Sequence, residues 1–205
     1  MKEILPGVFH WRIEWPGWFS LESFFLRSPE GSVLIDPIEC AGLSDINTAG
    51  DVAAIIITVS YHERSARLFA RRTGAPVFVP DKDVSMFEAL DEVMTYEDGA
   101  ALPGGLRAIG VPGCSLGEQA LISPIHGGTL IVGDCLGTTA YWAPGGIPLG
   151  GHPKGHPRPA ESLSHLLEYE FENLLPGHGD PILGGARTRL RELIEASKRI
   201  TGSGS

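Results

Sequence analysis

Hydrophobic positions in the first third of the chain fall into short runs that predict β-strands. Residues 8–13, 23–26 and 32–35 are dominated by aromatic and β-branched side chains, which favour strands. A turn is expected at 29–31, where proline and glycine interrupt the pattern. The run 53–57 is apolar at every position, which is typical of a strand buried on both faces.

The next segment predicts a strand–helix–strand unit. Residues 65–73 place Ala66, Leu68, Phe69 and Ala70 on one side of a short helix. Gly74 follows where a helix commonly ends in a left-handed residue. Residues 76–80 then form another short apolar run, so a βαβ unit is expected here.

The second half of the chain repeats this pattern. Strands are predicted at 106–111, 119–123, 129–132 and 173–176, and helices at 160–169 and 186–198. Residues 145–159 are rich in glycine and proline and predict a loop. This order predicts an α/β fold, an αββα sandwich of two mixed β-sheets flanked by helices. We expect one domain over 1–200 and a flexible tail over 201–205.

The composition limits the classes of binding partner and the cellular compartment that we expect for this chain. The chain has 205 residues and a formal net charge of −9, which disfavours nucleic acid or an anionic membrane as the main partner. No apolar stretch has the length of a signal peptide core or a membrane span. Cys40, Cys114 and Cys135 form no CxxC pair, which fits a reducing compartment. A cytoplasmic protein with a small-molecule ligand is expected.

Polar motifs follow several of the predicted strands, where α/β folds gather their ligands. Asp36 ends one strand, and Thr58 begins a polar segment after the 53–57 run. Gly133-Asp134 and Pro176-Gly177-His178-Gly179 follow two strands of the second half. Together with Leu5-Pro6-Gly7-Val8-Phe9, these motifs, in this order, resemble the metallo-β-lactamase superfamily over about residues 3–195.

The resemblance implies a two-metal hydrolase site, but the main metal motif is altered. The family pattern Thr-His-x-His-x-Asp-His corresponds to residues 58–64, where Thr58 is retained. Val59 and Tyr61 stand at the first two histidine positions, Glu63 at the aspartate and Arg64 at the last histidine. In the next histidine motif, residues 112–118, Cys114 stands where the histidine is expected.

These substitutions affect the two implied metal positions differently. The first position would rely on Val59, Tyr61 and Cys114 beside Asp134; valine has no lone pair and a tyrosine phenol stays protonated at neutral pH, so this position is expected to be empty. The second retains three candidate metal ligands: Glu63, Asp134 and His178.

Arg64, at the second position, cannot coordinate a metal. The hypothesis is that its guanidinium replaces the metal charge by pairing bidentately with Asp134 or Glu63. No cofactor is the first expectation, and a single zinc or other divalent ion on Glu63, Asp134 and His178 is the alternative.

His62 and Cys114 each allow two interpretations. In the favoured alignment, His62 is either a partly exposed loop histidine or an acid or base. A shift by one residue would instead align Ser60-x-His62 with the family's His-x-His pair. Cys114 is either a buried, inert thiol or a nucleophile activated by Arg64 or His178.

Aromatic residues and a loop histidine are the candidates for substrate binding. They are Tyr61, Trp15, Trp18 and His152. Trp15 and Trp18 flank a predicted turn, where they form either a lid over the site or a packed surface such as a homodimer interface. His152 lies in the Gly-Pro loop, either at the rim of the site or as a replacement ligand.

Three functional classes therefore remain open. The first is a hydrolase with a reduced metal site, acting on an ester, thioester, amide or phosphodiester. The second is a metal-free protein that binds a small ligand through Arg64 and His62. The third is a pseudoenzyme scaffold that pairs with itself or another protein. The candidate catalytic residues are His62, Glu63, Arg64, Cys114, Asp134 and His178.

Overall fold

The computed structural model describes residues 1–15, 19–41, 43, 52–88, 90, 92–111, 115–144, 149–151 and 163–202. Its first sheet has seven strands that lie side by side in chain order. The first four are antiparallel neighbours, and the last four are parallel. The strands are β1 (Lys2–Leu5), β2 (Val8–Trp15), β3 (Phe19–Leu26), β4 (Ser32–Ile35), β5 (Val52–Ile56), β6 (Val77–Pro80) and β7 (Val93–Tyr96).

The second sheet has six strands, and a small ribbon follows it. The strands are β8 (Ala101–Leu102), β9 (Leu106–Gly110), β10 (Gln119–Ser123), β11 (Thr129–Val132), β14 (Asn173–Pro176) and β15 (Ile182–Leu183). Their order is β15-β14-β11-β10-β9-β8, and the pair β11–β14 is parallel while the others are antiparallel. The ribbon pairs β12 (Leu136–Gly137) with β13 (Gly150–Gly151).

Within the described residues, two α-helices cover the outer faces of the sheets. Helix α1 (Ala66–Thr73) buries Ala66 and Phe69 against the first sheet and ends at Gly74, whose φ of 72° is left-handed as predicted. Helix α2 (Ala186–Gly202) buries Leu190 and Ile194 against the second sheet. Short 3₁₀ turns lie at Ser60–His62, Asp81–Phe87 and Ser164–Glu168.

Alternating side chains of the strands fill three apolar layers. In β5, Ala54 and Ile56 face the space between the sheets, and Ile55 faces helix α1. Ile131 and Leu175 of the second sheet pack into the same central layer as Ile56. The predicted αββα sandwich and the βαβ unit from β5 to β6 are thus confirmed. Strand β5 is buried on both faces, as its continuous apolar pattern predicted.

One predicted element was wrong in its described part. Residues 163–169 do not form an α-helix; they contain the 3₁₀ turn Ser164–Glu168. Leu163 and Leu166 are buried three residues apart, which matches the 3.0-residue repeat of such a turn. Strands β1 and β7 were not predicted, because exposed polar or methionine side chains mask their pattern. No helix in the described ranges has the length and apolarity needed to cross a bilayer.

Candidate metal centre

The candidate site lies where strand ends of both sheets meet. Asp36 follows β4 and residues 58–64 follow β5, and these two strands are parallel neighbours. Asp134 follows β11 and His178 follows β14, which are also parallel neighbours. Because parallel strands leave a sheet at the same edge, this topology brings side chains from distant parts of the chain together.

His62, Asp134 and His178 form a buried group of three ligand atoms. The Nε2 atoms of the two histidines are 3.2 Å apart, and Asp134 Oδ1 lies 3.2 Å from His62 Nε2 and 2.9 Å from His178 Nε2. Tetrahedral ligands at zinc-bond lengths stand about 3.3 Å apart. Two imidazoles and one carboxylate also supply the three protein ligands that catalytic zinc uses. The donor set therefore fits one metal ion.

The outer nitrogens of both imidazoles are held by acceptors. His62 Nδ1 donates to Asp36 Oδ2 at 2.8 Å, and His178 Nδ1 donates to the carbonyl oxygen of Ser20 at 2.7 Å. In the neutral rings, each Nε2 therefore carries a lone pair directed at the other members of the group. A carboxylate or carbonyl behind each histidine is the usual arrangement around metal-ligating imidazoles.

Asp36 anchors the first-sheet side of the site. Its backbone is left-handed, with φ of 46°, and its carboxylate accepts hydrogen bonds from Thr58 N at 2.9 Å and Thr58 Oγ1 at 2.6 Å. Burial would raise the pKa of Asp36, but His62 and Arg64, together with these hydrogen bonds, lower it below its ordinary value. Asp36 thus remains an anion that orients His62.

Without a metal, the group needs another positive charge at its centre. Burial would raise the pKa of Asp134, but His62 and His178 hold it well below its ordinary value. Burial and Arg64 lower the pKa of His62, yet Asp36 and Asp134 raise it above the ordinary value. Burial holds the pKa of His178 below its usual range. The carboxylates of Asp36 and Asp134 therefore favour the protonated form of His62 in the metal-free protein.

Arg64 contributes a second cation, but it bonds differently from the prediction. Its NH1 donates to the carbonyl oxygens of Glu22 and, at 3.1 Å, Asp36. Its NH2 donates to Gly177 O at 3.3 Å and lies 3.1 Å from His62 Nε2. Within the described ranges it makes no ion pair within 4.0 Å with Asp134 or Glu63, so the predicted bidentate pairing was wrong. The guanidinium instead donates to three backbone carbonyl groups, and two of them, those of Asp36 and Gly177, also accept hydrogen bonds from Ser23 Oγ and Glu22 N.

The chain matches a family model described as the metallo-beta-lactamase superfamily over residues 6–197. The chain belongs to this superfamily. No curated protein matches it. A metallo-β-lactamase family protein from Thermus thermophilus is similar in structure, with 19% identity, TM-score 0.67 and coverage of 96% of this chain and 81% of that one.

Two further solved structures show the same fold. A metallo-β-lactamase from Cronobacter sakazakii, described by its HARLDQ motif, has 16% identity, TM-score 0.59 and coverage of 98% and 92% of the two chains. A metal-soaked flavodiiron core from Synechocystis has 14% identity, TM-score 0.70 and coverage of 93% and 58%. The family model confirms the predicted superfamily, and the similar structures confirm the predicted sandwich fold.

Within this superfamily fold, the 58–64 segment does not present its side chains as the alignment implied. The 3₁₀ turn Ser60–His62, closed by His62 N to Val59 O at 2.9 Å, directs His62 inward and leaves Tyr61 65% exposed. His62 is 2% exposed, so its interpretation as a partly exposed loop histidine was wrong. Glu63 is half-buried and lies outside the ligand group. The ligand group therefore contains two of the three predicted metal ligands, Asp134 and His178, and its third member is His62.

The remaining predicted site residues divide into two groups. Tyr61 lines the cavity at the site, whereas Trp15, at the end of β2, is 55% exposed and does not line that cavity. Cys114, Trp18 and His152 lie outside the described residues.

Two glycines of the superfamily motifs allow the close approach of the two sheets. A Cβ on Gly133 would lie 2.7 Å from Thr58 Oγ1, and one on Gly177 would lie 2.6 Å from His62 Cε1. Real Cβ atoms essentially never come this close, so the first-sheet loop could not pack on these strand ends if either glycine carried a side chain. Gly133 and Gly177 therefore belong to the site as much as the ligands that follow them.

A cavity of about 290 Å³ opens beside the ligand group. Its walls are mainly aromatic and apolar, and Arg64 and the three ligand residues complete them; the apolar and aromatic lining residues are Phe19, Leu21, Tyr61, Tyr141 and Trp142. Sequence reasoning missed Trp142 and the supporting residues Ser20 and Glu22. A lone tryptophan after the Gly-Asp motif gave no periodic signal, and Ser20 acts through its backbone carbonyl.

Proposed function

We propose that the protein is a mononuclear metal-dependent hydrolase whose single divalent ion, preferably zinc, binds His62, Asp134 and His178. The observation that supports this most is the convergence of two imidazole Nε2 atoms and one carboxylate oxygen within 3.2 Å of one another. The Nδ1 atoms on the far sides of both rings already have partners.

The bound ion would supply a water of lowered pKa and polarise the carbonyl or phosphoryl oxygen of a substrate. The chain's own residues provide the rest of the site. Asp36 and the Ser20 carbonyl fix the two imidazoles, and Asp134 provides the negative charge that favours a cation. The aromatic walls of the cavity exclude water and contact the substrate, which we expect to be an ester, thioester, amide or phosphodiester.

A single ion is proposed rather than two because of Arg64. Its guanidinium takes the place that the superfamily motif gives to a histidine, and arginine cannot donate a lone pair. It also places a positive charge 3.1 Å from His62 Nε2, which opposes any cation in the site, and a second ion would in addition be repelled by the first.

Metal titration of chelator-treated protein tests the proposal. Cobalt(II) and zinc(II) should each bind with one equivalent per chain, and zinc should restore hydrolysis in a panel of p-nitrophenyl acetate, a thioester, an anilide and bis-p-nitrophenyl phosphate. Asp134→Asn is the matched control, because it keeps the shape of the side chain and removes the charge. Failure of both metals to bind, or binding unaffected by Asp134→Asn, would overturn the proposal.

The second candidate function is that of a metal-free ligand-binding protein. It is supported by the position of the Arg64 NH2 group, which lies 3.1 Å from His62 Nε2, the atom that would coordinate a metal. In this alternative, Arg64 and protonated His62 attract a small anion into the cavity. The same titration distinguishes the two: no metal would bind, while a carboxylate such as benzoate would bind and Arg64→Met would abolish that binding. Homodimer formation remains a prediction for either candidate.

A further inference from the structure

We infer that Trp142 is a positioning residue that holds two members of the ligand group at once, His178 through its ring and Asp134 through its backbone. Trp142 lies in the segment between β12 and β13, and it is 4% exposed. The role in metal binding rests on the proposed function, whereas the positioning of the two residues applies to the metal-free protein as well.

The ring contact restrains the orientation of the His178 imidazole. The Trp142 and His178 rings are stacked, with centroids 4.4 Å apart and an interplanar angle of 16°. Phe19 meets the His178 ring edge-on, with centroids 4.9 Å apart and an angle of 81°. The hydrogen bond from His178 Nδ1 to Ser20 O at 2.7 Å then leaves one ring orientation. In that orientation Nε2 points at Asp134.

The indole nitrogen restrains the other ligand. Trp142 Nε1 donates to the backbone carbonyl oxygen of Asp134 at 2.7 Å. A buried indole N–H requires a partner, and here that partner is the ligand residue itself. Because Asp134 follows β11 and His178 follows β14, the indole ties together the loops after two parallel strands.

The surrounding ribbon is shaped to hold the indole in place. Gly137 of β12 pairs with Gly150 of β13. A Cβ on Gly137 would lie 2.7 Å from Trp142 Cγ, and one on Gly150 would lie 1.8 Å from the carbonyl oxygen of Trp142. Backbone hydrogen bonds from Trp142 and Ala143 to Thr139 O, at 3.1 and 2.8 Å, close the turn that carries the indole. Trp142 is therefore clamped on both sides by positions where only glycine fits.

Two substitutions separate the two contacts, and a third provides a matched control. Trp142→Phe keeps an aromatic ring for His178 and removes the N–H that Asp134 accepts, while Trp142→Leu removes both contacts. Trp11→Phe is the control, because Trp11 is also 4% exposed and its Nε1 also donates to a backbone carbonyl, that of Ile38 at 2.8 Å. Trp11 packs with helix α1 on the outer face of the first sheet, away from the ligand group.

Zinc affinity and metal-free crystal structures are the two measurements. We expect zinc binding to weaken about 10-fold in Trp142→Phe and up to about 100-fold in Trp142→Leu, the range for outer partners of metal ligands. Trp11→Phe should lower the melting temperature as much as Trp142→Phe and leave zinc affinity unchanged. In metal-free Trp142→Leu, the His178 ring should turn away from the 2.9 Å contact with Asp134 Oδ1.

The inference is overturned if His178 and Asp134 keep their positions in both metal-free Trp142 variants. It is also overturned if the Trp142 variants bind zinc as Trp11→Phe does. Failure of the proposed function looks different: the unsubstituted protein would bind no zinc. In that case the crystal structures alone still decide whether Trp142 positions the two residues.

Discussion

The two sheets contribute to the site in different ways. The second sheet supplies Asp134 and His178 from motifs that match the superfamily pattern, at the ends of the adjacent parallel strands β11 and β14. The first sheet supplies His62 and Arg64 from a segment in which most motif positions are substituted. Even so, the two sheets together deliver the three-ligand group.

This difference shows that a group of three possible ligands can form although most positions of the first-sheet motif are substituted. Val132 pairs with Pro176 at the strand ends, so the strand register places the backbones that carry Asp134 and His178 side by side. His62 instead reaches the site through a 3₁₀ turn, which can present an imidazole from a different motif position. Arg64, with a left-handed φ of 45°, then bends back onto the strand ends.

Substituting the second-sheet histidine should have the largest effect. His178→Ala removes one of three ligands and also the ring on which Trp142 stacks. We expect zinc affinity to fall by a factor of about 1,000 or more, because catalytic zinc normally requires three protein ligands. Isothermal titration of the metal-free variant checks this. Unchanged affinity would mean that the second sheet does not anchor the ion.

A pair of first-sheet variants tests which residue supplies the third ligand. His62→Ala should lower zinc affinity by about 100-fold, because His62 Nε2 is one of the three converging atoms. Glu63→Ala should leave affinity unchanged, since Glu63 lies outside the group. Competition with a zinc-sensitive dye measures both on one scale. The reverse result would restore Glu63 as the ligand and make the 3₁₀ turn irrelevant to binding.

Removing the first-sheet cation should have opposite effects on metal affinity and on stability. Arg64→Met removes a positive charge 3.1 Å from His62 Nε2, so zinc should bind about 10-fold more tightly. The carbonyls of Glu22, Asp36 and Gly177 lose the hydrogen bonds from the guanidinium, although Ser23 Oγ and Glu22 N still donate to the last two. This loss should lower the free energy of unfolding of the metal-free protein by about 1–3 kcal/mol. Zinc titration and urea unfolding measure the two effects. Weaker zinc binding in this variant would show that Arg64 supports the ion.

The smallest effect concerns the support beneath the first-sheet segment. Tyr96 on β7 donates its hydroxyl to Ile57 O at 2.6 Å. Burial, and then the nearby carboxylates, raise the pKa of Tyr96 well above its ordinary value. The unfolded chain therefore loses the phenol proton first, so this stabilisation is present below about pH 10 and is lost as pH rises toward the folded-state pKa.

Tyr96→Phe should lower the free energy of unfolding by about 1 kcal/mol at neutral pH and remove part of the alkaline loss. Urea unfolding from about pH 8 to about pH 11 compares the variant with the unsubstituted protein. Parallel curves for the two proteins would show that Tyr96 does not contribute to the alkaline loss.

The fold and half of the site could be predicted from the sequence. The continuous apolar run of β5 is a local sequence pattern, and it helped to predict the sandwich fold. The motifs after β11 and β14 are also local patterns, and they predicted Asp134 and His178 as site residues. The direction of His62 could not be predicted, because it depends on a three-residue 3₁₀ turn within a substituted motif. The contacts of Arg64 could not be predicted either, because the carbonyls that it reaches, those of Glu22, Asp36 and Gly177, belong to segments far apart in the sequence.

The central claim is that His62, Asp134 and His178 together hold one metal ion. Anomalous diffraction at the zinc edge, from crystals grown with one equivalent of zinc, tests it most directly. We expect one anomalous peak per chain, bonded to His62 Nε2, His178 Nε2 and a carboxylate oxygen of Asp134. Absence of a peak in the site, a second peak beside the first, or a peak bonded to Glu63 in place of His62 would contradict it.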